Sequence, residues 1–215
     1  MKTVLLLGDS IRQLYCKEVE TVFAGQVQIL YPEENCRFST YFLRNLNDWR
    51  GKLSPDGKAD LIHWNAGLWD CLRQYGEDPL VPPEIYRYYI ERICRRMQFL
   101  FPNAKCVFAA TTPVREEKFN TPETFRRFNA DVRRYNEIAA EIVTRFGMEV
   151  DDLYAVAEQF PADWYQDATH PDSIPGRCAL ARQVVTCISR SLDIPAPEVP
   201  DDIAVQVGSI QVIGV

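Results

Sequence analysis

The chain has 215 residues, 47% of them hydrophobic and 25% charged, the size and composition of one globular domain, which excludes wholesale disorder. With 24 Lys and Arg against 30 Asp and Glu the net charge is −6, so the basic field of a nucleic-acid-coating protein is missing. No apolar run reaches the roughly 20 residues of a membrane span.

The start, Met1 to Leu7, is too short an apolar stretch for a signal peptide. Seven cysteines, none in a Cys-x-x-Cys pair, make neither an even disulfide framework nor a zinc knuckle. The expectation is buried free thiols in a reducing, cytoplasmic compartment, with no metal and no cofactor.

In chain order, short apolar, β-prone runs predict strands at residues 3–7, 27–31, 60–64, 106–110 and 148–150. Behind Pro82-Pro83-Glu84, the positions Ile90, Ile93, Met97 and Leu100 share one helical face and stop ahead of Pro102. Phe125, Phe128, Val132, Tyr135, Ile138, Ile142 and Phe146 predict a six-turn helix closed by Gly147. A last helix reads from Ile174 through Cys178, Ala181, Val185 and Ile188 to Leu192.

Strand-helix alternation predicts the α/β class: a three-layer α/β/α sandwich on a central parallel sheet of about five strands. Residues 1–193 read as one domain. Residues 194–200 form a proline-rich break, and 203–215 an apolar, β-prone tail expected to pack on its own domain or on a partner subunit, a route to a homo-oligomer.

Ligands of such sheets bind outside the carboxyl ends of the strands, and three segments there carry candidate chemistry. Gly8-Asp9-Ser10 follows the first strand; glycine permits a sharp turn, and Ser10 is expected at a helix start with an exposed hydroxyl and a free N–H. Capping by Asp9 or Ser10 is the plain alternative. Asn65 leaves the third strand in Asn65-Ala66-Gly67, where an amide can donate to a developing oxyanion or simply make a turn. His170 precedes Pro171, which favours an extended loop, and Asp167 three residues earlier can accept from its Nδ1 and leave Nε2 free as a base. His63, inside the third strand, reads as a structural histidine. The Gly-x-Ser-x-Gly elbow and the dinucleotide and phosphate-loop glycine patterns are absent.

In their order along the chain, Gly8-Asp9-Ser10, Asn65 and Asp167-Ala168-Thr169-His170 resemble the SGNH, or GDSL, hydrolase family over residues 4 to about 190. The resemblance implies a flavodoxin-like sandwich and serine esterase chemistry without a metal. It implies Ser10 as nucleophile, His170 as general base and Asp167 as its orienting carboxylate. Asn65 and the Ser10 N–H would be oxyanion donors. The family's third donor, a glycine N–H after the second strand, falls at Cys36 or Arg37; Cys36 is taken as that donor. Asp9, Arg37, Trp64 and Trp69 are secondary candidates for contacting substrate, the indoles as platforms for sugar rings and Arg37, with Arg73 and Arg115, for anionic groups.

The implied substrate is a small-molecule or carbohydrate ester, acetyl esters foremost. Alternatives are a lysophospholipase, thioesterase or acyltransferase using the same residues, a non-catalytic binding domain, and a thiol hydrolase built on Cys36 and His170.

Overall fold

The computed structural model describes residues 1–119 and 125–208. Five strands form a parallel sheet: β1 (Lys2–Leu7), β2 (Val27–Leu30), β3 (Leu61–Trp64), β5 (Lys105–Ala109) and β7 (Glu149–Asp151), in the order β2-β1-β3-β5-β7. This is the sandwich expected from the alternation. Val4, Leu5, Leu6 and Leu7 are all buried, since a central parallel strand is covered on both faces and reads as a continuous apolar run.

The helices of one layer are α3 (Ser39–Leu53), α4 (Pro83–Leu100) and α5 (Asn129–Arg145), packed in that order. The other layer holds α2 (Cys16–Val22), α6 (Leu153–Glu158), α7 (Ile174–Leu192) and α8 (Ile203–Val207). A single turn, α1 (Ser10–Gln13), lies directly after β1. The chain leaves β1 toward β2 on one side, then crosses back to place β3 on the other. The sheet therefore has its topological switch point at the carboxyl ends of β1 and β3, where such folds form their crevice.

The expected six-turn helix starts late. Phe125 and Arg126 form the short strand β6, paired antiparallel with β4 (Arg73–Gln74), and α5 begins only at Asn129. The start is fixed by Asn129, whose side chain accepts from the Val114 N–H and donates to the Val114 carbonyl, while its own N–H donates to Glu116 Oε1 at 2.7 Å. Phe128 is spent under the guanidinium groups of Arg73 and Arg126 rather than in the helical stripe.

The tail also departs from expectation, being helical rather than extended over Ile203–Val207. Ile203 and Ala204 are buried against α2 and α7, and buried Arg177, ion-paired with Glu18, donates to the Gly208 carbonyl at 2.9 Å. Residues 209–215 of the expected tail lie outside the described residues. No helix among the described residues is long and apolar enough to cross a membrane.

Candidate active site

The turn after β1 is organised by Asp9. Its Oδ1 accepts from the Ile11 N–H at 2.9 Å, capping α1, and from Asn65 Nδ2 at 2.8 Å. Burial raises the pKa of this carboxyl in spite of both bonds. Asp9 thus ties the end of β1 to the end of β3 and is closed off from substrate, which corrects its reading as a substrate contact. Gly8 is required for the same closeness: a Cβ there would stand 1.8 Å from Asn65 Oδ1 and 2.9 Å from Arg12 Cβ.

Ser10 follows as the first residue of α1, with an N–H that has no intrahelical acceptor. Its hydroxyl is not exposed as expected, the residue being only 2% accessible, because the loop that carries His170 closes over it. His170 Nε2 lies 2.8 Å from Ser10 Oγ, although 160 residues separate them. On the far side of the ring Nδ1 lies 2.6 Å from Asp167 Oδ2, and Asp167 Oδ1 accepts from the Thr169 and His170 N–H groups at 2.6 and 2.7 Å. With Nδ1–H held by the carboxylate, Nε2 is left as the acceptor for the serine proton.

Partial burial raises the Asp167 carboxyl, but the imidazole and the two amides outweigh it and bring the pKa down to about 2. A lowered folded pKa gives stability that is complete above the ordinary carboxylate value near 4 and is lost as pH falls through about 2. The side chain is half exposed, so the gain is about 1 kcal/mol, or roughly 2–4 °C in Tm. Thermal unfolding of wild type and Asp167→Asn should therefore differ at pH 7 and converge between pH 4 and 2. A gap that stays constant over that range would show that the charge is not what stabilises the loop.

The groups free to serve as oxyanion donors differ from the expected set. The Cys36 N–H donates to the Gly8 carbonyl at 3.0 Å, so it has no bond left for a substrate, and Cys36 is withdrawn as a donor. Arg37 adopts φ +52°, the left-handed conformation that suits the glycine expected nearby, but its N–H is engaged by Asn35 Oδ1 at 2.8 Å. The Ser10 N–H and Asn65 Nδ2, which keeps a second hydrogen after serving Asp9, remain. Cys36 is fully buried, and burial pushes its thiol up to about 12; it is no nucleophile near neutral pH, which removes the thiol-hydrolase alternative.

Trp64 is a core residue, not a substrate platform. Strand alternation turns it into the α3–α4 layer, where its ring packs against Phe42 at 5.5 Å and Phe108 at 5.0 Å. Trp69 is half-buried in the loop after β3, and Arg37 is exposed beside the Tyr41 ring. Arg73 is neutralised by Asp131 at 2.8 Å, and Arg115 lies over the Tyr165 ring and bonds the Phe160 carbonyl. His63 faces the other layer, its Nε2 2.9 Å from Asp151 Oδ2, as befits a structural residue.

Three residues near the site escape sequence reasoning. Asp70 is buried and holds the start of α3 by accepting from the Ser39 N–H and, at 2.5 Å, from its hydroxyl; burial raises its pKa to about 7. Arg12 is buried and joins the Gly8 and Glu34 carbonyls at 3.4 and 2.7 Å. Arg127 donates to the Leu68 carbonyl at 2.6 Å and to Thr169 Oγ1 at 3.4 Å. A cavity of about 480 Å³, lined by Arg73, Glu116, Arg126, Phe128 and Asp131, opens beside the β4–β6 ribbon and includes none of Ser10, Asp167 and His170.

No family model and no curated protein sequence matches the chain. Among solved structures it is similar to a lipase/acylhydrolase from Enterococcus faecalis, at 16% identity and a TM-score of 0.69 over 92% of this chain and all of that one. A structure described as a GDSL-like lipase from Parabacteroides merdae is similar at 14% identity and a TM-score of 0.65, over 90% of this chain and 96% of that one. Axe2, an acetylxylan esterase from Geobacillus stearothermophilus, is similar at 16% identity and a TM-score of 0.63, over 93% and 97% of the two chains. The chain therefore has the SGNH, or GDSL, hydrolase fold, along nearly its whole length.

Proposed function

We propose that the protein is a serine esterase that cleaves short-chain carboxylic esters, acetyl esters foremost, through an acyl-enzyme. The observation that carries this reading is the continuous line Ser10 Oγ–His170 Nε2, His170 Nδ1–Asp167 Oδ2 at 2.8 and 2.6 Å. His170 takes the Ser10 proton as the oxygen attacks the ester carbonyl. Asn65 Nδ2 and the Ser10 N–H receive the negative charge of the tetrahedral intermediate. The alcohol departs with the proton from His170, and a water activated by the same imidazole then releases the acid and frees Ser10.

The enclosure of Ser10 and His170, 2% and 3% accessible, favours a small acyl group. That some proteins of this fold are described as acetylxylan esterases supports trying acetylated sugars, with the half-buried Trp69 as the remaining indole candidate beside them. Seven unpaired, buried cysteines suit a reducing compartment.

Steady-state kinetics on 4-nitrophenyl acetate test the assignment of donors. Asn65→Ala is expected to lower kcat by 10²–10³, about 3–4 kcal/mol, with little change in KM. Cys36→Ala should cost less than about 1 kcal/mol, since its N–H stays on Gly8. Near-normal kcat in Asn65→Ala would reduce that residue to a turn former, and an inactive Cys36→Ala that remains folded would restore the thiol mechanism.

A further inference from the structure

We infer that Arg127 is a specificity-determining residue that receives an anionic group, a carboxylate, phosphate or sulfate, on the alcohol portion of the ester. This deepens the esterase reading and rests on it. Arg127 joins two parts of the site: Leu68, whose carbonyl it holds at 2.6 Å, stands three residues beyond Asn65, and Thr169, at 3.4 Å, is next to His170. The charges of Asp9 and Asp167 both act on its guanidinium, and Asp9 feels it in return, in keeping with its bond to the hydroxyl next to His170.

Among the described residues no carboxylate forms an ion pair with it. Arg73 has Asp131 and Arg177 has Glu18, whereas the hydrogen bonds of Arg127 go to one carbonyl and one hydroxyl, and its Nη2 has no hydrogen bond among the described residues. Asp9 serves Ile11 and Asn65 through Oδ1 and keeps a buried Oδ2 with no hydrogen bond among the described residues, and Asp167 is held by His170 and Thr169; neither carboxylate is hydrogen-bonded to Arg127. A guanidinium half withdrawn from water, bonded only to neutral acceptors among the described residues and with a donor to spare, is costly to keep in the free protein. The cost is offset when a planar oxyanion arrives, the group that its fork fits best. Its contact with Thr169 decides which part of the ester it meets: His170 hands its proton to the departing alcohol, so a cation beside the base faces that portion.

The test compares kcat/KM of wild type, Arg127→Gln and Arg127→Lys on 4-acetoxybenzoate and its neutral methyl ester, which differ in the charge of the alcohol part. Wild type should favour the anion, and Arg127→Gln should lower the anion-to-neutral ratio about 10–100-fold, the scale of one charge-assisted hydrogen bond. Arg127→Lys should keep an intermediate ratio. Both esters lose rate in Arg127→Gln, because the Leu68 and Thr169 bonds go too, so the ratio is the readout. An unchanged ratio would overturn the proposal and leave Arg127 a loop clamp. If wild type turned over neither ester, the esterase reading would fall instead. The anion site would then be judged by calorimetric binding of 4-hydroxybenzoate against its methyl ester, with a preference lost in Arg127→Gln sustaining it and no preference ending it.

Discussion

Replacement of Ser10 by alanine is expected to lower kcat on an activated acetate by about 10⁴–10⁶ while leaving the fold intact, and His170→Ala to do nearly the same. The serine hydroxyl is a weak nucleophile until the imidazole 2.8 Å away removes its proton, so either deletion disables one device. The double variant should be hardly slower than either single one, because parts that act as a unit are not additive. Ser10 contributes one small buried side chain at the start of α1, whose cap is Asp9, so its loss should change Tm little. Activity within tenfold of wild type in Ser10→Ala would end the serine mechanism.

Gly8→Ala is the second large effect. The new methyl would occupy the place of Asn65 Oδ1, 1.8 Å away, and press on Arg12 Cβ, both outside any real contact distance. The amide cannot swing aside freely, because Nδ2 is fixed to Asp9 at 2.8 Å. Either Asn65 leaves its position or the turn after β1 moves, and both spoil the oxyanion site. The expected cost is 10²–10³ in kcat, as for Asn65→Ala, plus about 1–3 kcal/mol of stability from overpacking. In the Asn65→Ala background the worse of the two obstructions is gone and only the approach to Arg12 Cβ remains, so Gly8→Ala should there cost clearly less in both respects than it does in wild type. Fully additive losses would mean that Gly8 serves the turn alone and not its approach to Asn65.

Much of the fold is legible because it rests on continuous patterns. The strand runs near residues 3–7 and 106–110 and the stripe ending at Leu192 appear within a residue or two, since burial on both faces or on one stripe leaves few other sequences possible. Helix α3 carried the same kind of signal in Phe42, Leu46 and Trp49, all buried, though it was not among the predicted elements. The β4–β6 ribbon is different. Two residues per strand make no period, and Phe125 and Phe128 happen to continue the spacing of the α5 stripe, so only the tertiary ties of Asn129 reveal where the helix starts.

The candidate site divides in the same way. Ser10, Asn65, Asp167 and His170 stand in an order that the sequence displays, and they converge in space. Cys36 and Trp64 were misplaced because sequence tells which residue follows a strand but not where its N–H or its ring points: Gly8 takes the one and the α3–α4 layer takes the other. Arg127 was hidden inside an apparent helix.

Covalent labelling with a fluorophosphonate followed by peptide mass spectrometry tests the Ser10 nucleophile most directly. A stoichiometric adduct on the peptide carrying Ser10, absent in Ser10→Ala and strongly slowed in His170→Ala, is the predicted result. An unlabelled wild-type protein, or an adduct that forms equally well in Ser10→Ala, would contradict it.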